Sequence, residues 1–272
     1  MIINFLKSIA ILFFIMIFIS CKENKRPFKS VTSFLDIETK KIEVYVGGEG
    51  ANTIVFESGL GVDGKTWLES GIFDSLGSDN QVIAYNRSGY LKSTENSEKR
   101  GIPELVNDLH VVITKKSKNG KVVLVGHSLG GAIARAYAVK YPDKVKALLL
   151  IEPTNENFKQ YALMSQEHED MLVKQFTIEK LNGAANECSQ LIENREFLKK
   201  LSSLPNIPVT VITSTKTDSE MTPENVSDWI KAHHSLGNGV TKFTHITTNK
   251  SGHFVYTEEP NLVVENINRL LR

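Results

Sequence analysis

The chain has 272 residues, and its 32 Lys and Arg residues nearly balance its 31 Asp and Glu residues. A chain with this balance of charges lacks the positive electrostatic field of a nucleic-acid-binding protein. Apolar residues make up 41% of the chain and charged residues 23%, a composition that indicates a folded protein and not a disordered one. Two cysteines, Cys21 and Cys188, are too few for a disulfide scaffold or a cysteine-rich zinc module.

The first twenty residues have the pattern of a secretory signal peptide. Lys7 supplies the positive charge, and an unbroken apolar run follows from Ile9 to Ile19. A helix over this run spans roughly 16 Å, which is short of the ~30 Å hydrocarbon core of a bilayer but typical of the apolar part of a signal peptide. We therefore expect residues 1–20 to be a signal peptide. The alternative is an uncleaved anchor that uses the same residues.

The end of this segment, Phe18-Ile19-Ser20-Cys21, resembles a bacterial lipobox. This resemblance implies acylation of Cys21 and export to a membrane-anchored position in a bacterial cell envelope. Residues 21–33 are mostly polar and predict a tether, and the folded domain is expected over 34–272. An acylated Cys21 could not pair with Cys188, which is then predicted to be a free, buried residue.

Strand-like and helix-like segments alternate through the rest of the chain. Apolar and β-branched runs predict strands over residues 41–46, 53–56, 81–85, 121–125, 147–151, 209–213 and 243–247. Apolar spacing and helix-start signals predict helices over residues 103–116, 128–140, 222–234 and 261–270. This alternation predicts an α/β fold with a mostly parallel twisted sheet and helices on both faces. Residues 153–204 interrupt it with helical patterns alone, and we expect them to form a helical cap.

One motif carries chemistry. Gly126-His127-Ser128-Leu129-Gly130 has the pattern G-x-S-x-G, follows the apolar run 122–125 and precedes a small-residue-rich helix. A strand, a tight turn and a helix are the setting in which this motif presents a serine nucleophile. The two glycines allow strand and helix to approach closely, and the helix start directs backbone N–H groups toward the reacting centre.

A serine nucleophile needs a base at neutral pH. His253 is the best candidate among seven histidines, because Ser251-Gly252-His253 lies between the last strand and the last helix. The acid that orients this histidine should follow a strand between nucleophile and base. Asp218 fits best, on the loop after strand 209–213. Glu152 is the main alternative and Glu220 a weaker one.

Two backbone N–H groups should bind the oxyanion that forms on the substrate. The first is the N–H of Leu129, the residue after the nucleophile. The second is expected from the glycine-containing loop after strand 53–56, where Leu60 is the best candidate.

These features together resemble the α/β-hydrolase superfamily over residues 34–272. The resemblance rests on the Ser128 motif and on three further segments, Gly59-Leu60-Gly61, Arg87-Ser88-Gly89-Tyr90 with Ser93, and Ser251-Gly252-His253 with Glu259-Pro260. The chain departs from the common pattern where Ser58 replaces His, Asn86 replaces Asp and Leu91 replaces Gly. The resemblance implies the α/β-hydrolase fold and a hydrolytic mechanism without a metal or organic cofactor.

The expected function is that of a serine hydrolase acting on a carboxylic ester or another small acyl substrate. A serine at position 128 distinguishes the chain from the dehalogenase and epoxide-hydrolase branches, which use a carboxylate nucleophile. A thioesterase, a peptidase and a non-catalytic ligand-binding surface lipoprotein are the alternatives. No nucleic-acid partner is expected, and the predicted membrane contact is the lipid on Cys21.

Overall fold

A computed structural model of the protein describes residues 30–95, 99–219 and 221–272. The predicted signal segment 1–20, Cys21, most of the predicted tether and Glu220 lie outside the described residues. In the ranges described, no helix has both the length and the apolar character needed to span a membrane.

The described strands form one eight-stranded sheet in the order β1-β2-β4-β3-β5-β6-β7-β8. The pairs β1–β2 and β2–β4 are antiparallel, and every other neighbouring pair is parallel. This confirms the mostly parallel sheet predicted from the sequence. The strands are β1 Val31–Ile37, β2 Lys40–Gly47, β3 Thr53–Glu57, β4 Gln81–Tyr85, β5 Val122–His127, β6 Val145–Ile151, β7 Val209–Ser214 and β8 Phe243–Thr248.

Strand β1 begins at Val31, three residues before the predicted start of the domain at residue 34. It pairs antiparallel with β2 from Val31↔Val46 to Ile37↔Lys40. Most of β1 is partly or fully exposed at the edge of the sheet, so its sequence lacks the continuous apolar run of the central strands.

Helices cover both faces of the sheet. One apolar core includes side chains from α3, α4 and α9, and a second includes side chains from α1, α2 and α11. The helices are α1 Lys65–Glu69, α2 Ile72–Gly77, α3 Ile102–Lys116, α4 Leu129–Lys140, α5 Lys159–Ala162, α6 Gln166–Ile178, α7 Asn182–Cys188, α8 Leu191–Lys199, α9 Pro223–His234, α10 Val255–Glu258 and α11 Pro260–Leu271.

Helices α5 to α8 lie between β6 and β7, within the interval 153–204 that the sequence predicts to be a helical insertion. We call residues 153–204 the helical insertion. It packs on the main domain through the apolar core that contains α3 and α4. Cys188, at the end of α7, is fully buried and free, and burial raises the pKa of its thiol to about 12.

Candidate active site

Ser128 lies at a sharp turn between β5 and α4. Its backbone has φ 53° and ψ −120°, a conformation that is costly for a residue with a side chain and that recurs at functional sites. A Cβ atom at Gly126 would collide with the backbone of Gly130, and one at Gly130 would collide with the backbone of Glu57. The glycines of the motif are therefore required by close packing around the strained serine.

His253 lies on the loop between β8 and α10, and His127 fixes the backbone of this loop beside Ser128. Nε2 of His127 donates to the carbonyl oxygen of His253 over 2.9 Å, and the two ring centroids are 4.8 Å apart. Burial, and then the charge of His253, lower the pKa of His127 well below its ordinary value. His127 is therefore neutral and holds the loop, whereas the His253 side chain is about 45% exposed.

Glu152 follows β6 directly and supplies the carboxylate that faces this histidine. Its Oε2 lies 3.2 Å from Nδ1 of His253. Its Oε1 accepts hydrogen bonds from the backbone N–H of Ser214 over 2.6 Å and from Nε1 of Trp229 over 3.0 Å. Glu152 is only 3% exposed, so both carboxylate oxygens are held in place by protein groups.

Asp218, the acid preferred from the sequence, is exposed on the loop after β7. Its Oδ1 accepts from the backbone N–H of Met221 over 2.7 Å, and its own N–H donates to the Met221 carbonyl oxygen over 3.2 Å. These bonds turn the loop back on itself. The geometry therefore favours the alternative acid, Glu152, over Asp218.

The loop proposed for the second oxyanion donor also contacts the nucleophile. A Cβ atom at Gly59 would lie 3.2 Å from Cβ of Ser128 and 3.0 Å from Nδ1 of His127. Gly61, two residues on, donates its N–H to the Tyr90 hydroxyl over 3.1 Å. Leu60, between them, is partly buried, and Leu129 begins α4 immediately after Ser128. The roles of Leu60 and Leu129 as oxyanion donors stay predictions.

Across the described ranges, no group of three or more His, Cys, Asp or Glu side chains is arranged to hold a metal ion. The structure pairs the His253 imidazole with the Glu152 carboxylate, on a loop that is bonded to His127, the residue before Ser128. An imidazole paired with a carboxylate can activate a hydroxyl, and the carboxylate can stabilise the histidine cation that results.

Solved structures with the same fold are similar to the chain at low sequence identity. Epoxide hydrolase VrEH1 from Vigna radiata is 17% identical, with a TM-score of 0.69 over 89% of this chain and 97% of that protein. A bacterial membrane phospholipase A is 17% identical, with a TM-score of 0.64 over 89% of this chain and 86% of that protein.

Curated relatives match over different lengths. Uncharacterized protein YqjL of Bacillus subtilis is 25% identical over 218 residues, covering 79% of this chain and 82% of that protein. Uncharacterized protein YbdG of Bacillus subtilis is 27% identical over 124 residues, which cover 46% of this chain and only 38% of YbdG. A (lyso)-N-acylphosphatidylethanolamine lipase of Bos taurus is 33% identical over 104 residues, covering 37% of this chain and 30% of that protein.

A family model covers most of the domain. The model described as the alpha/beta hydrolase fold matches residues 52–254, a range that includes Ser128, Glu152 and His253. The chain therefore belongs to the alpha/beta hydrolase family.

Proposed function

We propose that the protein is a serine hydrolase that cleaves carboxylic esters through an acyl-enzyme on Ser128. The observation that carries this proposal is the buried Glu152 carboxylate, 3.2 Å from Nδ1 of His253, on the loop that His127 holds beside the strained serine. A buried carboxylate behind a histidine favours the charged imidazole that forms when the histidine takes a proton from serine.

The proposed reaction assigns each of these residues a role. Oγ of Ser128 attacks the ester carbonyl carbon while Nε2 of His253 takes the hydroxyl proton, and Glu152 stabilises the resulting cation. The N–H groups of Leu129 and Leu60 bind the oxyanion. Collapse of this intermediate breaks the bond to the alcohol, which receives the proton from His253. Water, activated in turn by His253, then hydrolyses the acyl-enzyme and releases the acid.

Three further observations support an ester over other substrates. The names of the Bos taurus lipase and of the phospholipase describe enzymes that act on lipids, and the epoxide-hydrolase branch uses a carboxylate where this chain has Ser128. Without residues 1–20, which hold one Lys, the chain has 31 basic and 31 acidic residues, so the simplest substrate is a neutral ester.

A fluorophosphonate probe and a panel of esters of increasing acyl length test the proposal. We expect the wild type to be labelled and to hydrolyse at least one ester, and Ser128→Ala to lose both properties. Ser75→Ala, at an exposed serine of α2, is the matched control and should be labelled like the wild type. Equal labelling of Ser128→Ala, or an unlabelled wild type, would favour the non-catalytic binding protein. Thioesters or peptides hydrolysed faster than every ester would change the substrate class.

We propose further that the protein is exported and held at a membrane by acylation of Cys21, on the basis of the sequence pattern around this residue. Expressed in a bacterium that processes lipoproteins, the wild type should enter the detergent phase of a Triton X-114 separation, and Cys21→Ser should leave it. Cys188→Ser is the control for loss of a cysteine. A Cys21→Ser protein that stays in the detergent phase would favour an uncleaved anchor.

A further inference from the structure

A buried network of charged side chains lies beneath the loop that contacts Ser128. Its centre is Arg87, which follows β4 and is 3% exposed. Nη1 of Arg87 donates to the carbonyl oxygen of Ser58 over 2.6 Å and to Oε1 of Glu57 over 2.9 Å, and Nη2 donates to the carbonyl oxygen of Gly59 over 2.8 Å. One guanidinium thus holds two consecutive carbonyl groups of the loop.

The helical insertion supplies the other side of this network. Glu187, on α7, is fully buried and accepts from Nε and Nη2 of Arg87 over 2.6 and 2.8 Å. It also accepts from the Tyr90 hydroxyl over 2.7 Å, and this hydroxyl in turn accepts from the N–H of Gly61. Glu187 therefore reaches the loop by two routes, one through Arg87 and one through Tyr90.

The electrostatics keep Arg87 charged. Burial disfavours the charged form of Arg87, but the neighbouring carboxylates, chiefly that of Glu187, outweigh it and keep the pKa of Arg87 well above its ordinary value. A planar guanidinium that donates from all three nitrogens has little freedom to rotate. The positions of the two carbonyl groups are correspondingly fixed.

The peptide bond between Gly59 and Leu60 connects this network to catalysis. In a planar trans peptide the C=O and the following N–H point in opposite directions. Because the Gly59 carbonyl oxygen faces Arg87, the N–H of Leu60 faces away from Arg87. Gly59 approaches Ser128 closely, so an N–H at Leu60 that is directed away from Arg87 suits an oxyanion formed at Ser128.

We propose that Arg87 and Glu187 are positioning residues for the oxyanion donor. Glu187 of the helical insertion orients Arg87, and Arg87 fixes the peptide plane that aims the Leu60 N–H at the substrate carbonyl oxygen. The contact between Glu187 and Arg87 is thereby coupled to stabilisation of the transition state. This inference rests on the hydrolase function proposed above.

The test compares Glu187→Gln with the wild type in ester hydrolysis and in inhibition by an alkyl boronic acid. Ser128 adds to boron, and one boronate oxygen then occupies the oxyanion position. We expect kcat to fall ~10- to 100-fold and the inhibition constant of the boronic acid to rise, while KM for a matching ester changes less than about twofold. A purely structural role would not separate boronate affinity from KM in this way.

Glu156→Gln is the matched control, because Glu156 is a second buried carboxylate that binds an arginine with both oxygens, in this case Arg135. We expect it to lower the melting temperature but to leave kcat and boronate inhibition near wild-type values. Tyr90→Phe removes the hydroxyl that links Glu187 to the N–H of Gly61. This variant provides the test if Glu187→Gln does not fold. It should lower kcat and weaken boronate inhibition at unchanged KM.

The outcomes separate the two proposals. If the wild type is active and both Glu187→Gln and Tyr90→Phe keep its kcat and its boronate affinity, the positioning role alone is overturned. A loss of kcat in Glu156→Gln as large as that in Glu187→Gln would also overturn it. A wild type that neither binds the fluorophosphonate probe nor hydrolyses any ester would overturn the hydrolase function, and the positioning role with it.

Discussion

At the scale of single residues, two residues of the proposed catalytic site have a strained backbone conformation. Ser128 and Glu152 follow the adjacent strands β5 and β6, and both have positive φ, 53° and 49°. Such a conformation costs of order 1–3 kcal/mol in a non-glycine residue. Backbone hydrogen bonds to the neighbouring strands offset this cost, from Ser128 to Ile151 over 3.0 Å and from Glu152 to Ile212 over 2.9 Å.

The choice between the two acids gives the prediction at this scale. Glu152→Gln keeps the shape of the side chain but removes the charge that would stabilise protonated His253, so we expect kcat to fall by ~10³- to 10⁴-fold. Asp218→Asn, the matched change on the exposed loop, should stay within about twofold of the wild type. Steady-state hydrolysis of the best ester measures both. A large loss in Asp218→Asn with little in Glu152→Gln would restore Asp218 as the acid.

The sequence was sufficient to single out Ser128 and His253 as candidates, because each stands in a local pattern of glycines at the end of a strand. The acid could not be assigned in this way. Strands β6 and β7 are parallel neighbours, so both strands end at the same edge of the sheet and the loops that follow them begin there. Which carboxylate faces His253 depends on the path of the loop around Asp218 and on the donors from Ser214 and Trp229, and no local pattern encodes these.

At the scale of the elements, a side chain of the loop after β4 forms hydrogen bonds with side chains of strand β2. The side-chain amide of Asn86 donates to Glu43 over 2.7 Å and to the Tyr45 hydroxyl over 2.9 Å, and its oxygen accepts from the N–H of Gly64 over 2.7 Å. Glu43 and Asn86 are both buried. The amide of Asn86 therefore complements the carboxylate of Glu43 on β2.

This pairing predicts that Asn86→Asp lowers the free energy of unfolding by about 2–4 kcal/mol at pH 7, because it removes two donors and buries a second carboxylate beside the first. Urea unfolding measures the change. Adding Glu43→Gln to Asn86→Asp should recover part of the loss, since the new amide can donate to the new carboxylate. Two independent, additive losses would contradict the pairing.

Long helices and buried strands were easier to predict from the sequence than short helices and exposed strands. The buried strands and the four long helices predicted outside the insertion are confirmed, because their apolar periodicity extends over enough residues. Helices α1 and α2 have only five and six residues and show no helical period in the sequence. Strand β1 was missed because an exposed edge strand needs few apolar residues.

At the scale of the whole molecule, two buried histidines make the fold sensitive to acid. His233 bonds to the Thr213 hydroxyl over 2.6 Å and, through Nε2, to the Pro153 carbonyl oxygen over 2.8 Å. Burial lowers its pKa to about 3, and burial likewise lowers the pKa of His127 well below its ordinary value. Both side chains are therefore neutral in the folded protein at neutral pH.

The folded protein should lose stability as the pH falls below about 6.5. An unfolded histidine binds a proton near that pH, whereas folded His233 does not until about pH 3, so the unfolded state binds more protons in between. At pH 5 the neutral, buried His233 costs about 2 kcal/mol. Melting temperatures between pH 7.5 and 5 should show the decline, and His233→Gln should reduce its slope.

His234→Gln is the control for this measurement, because His234 is the exposed neighbour of His233 on α9. It should leave the pH dependence of the melting temperature unchanged. Equal slopes in His233→Gln and the wild type would show that His233 does not contribute to acid sensitivity.

The burial of Cys188 has a consequence for the redox behaviour of the domain. A thiol with no exposed surface and a pKa near 12 contains almost no thiolate at neutral pH, so it neither exchanges with disulfides nor reacts readily with oxidants. It is the only cysteine among the residues that the structure describes. The Cys188 thiol should therefore stay reduced in an oxidising environment as well as in a reducing one.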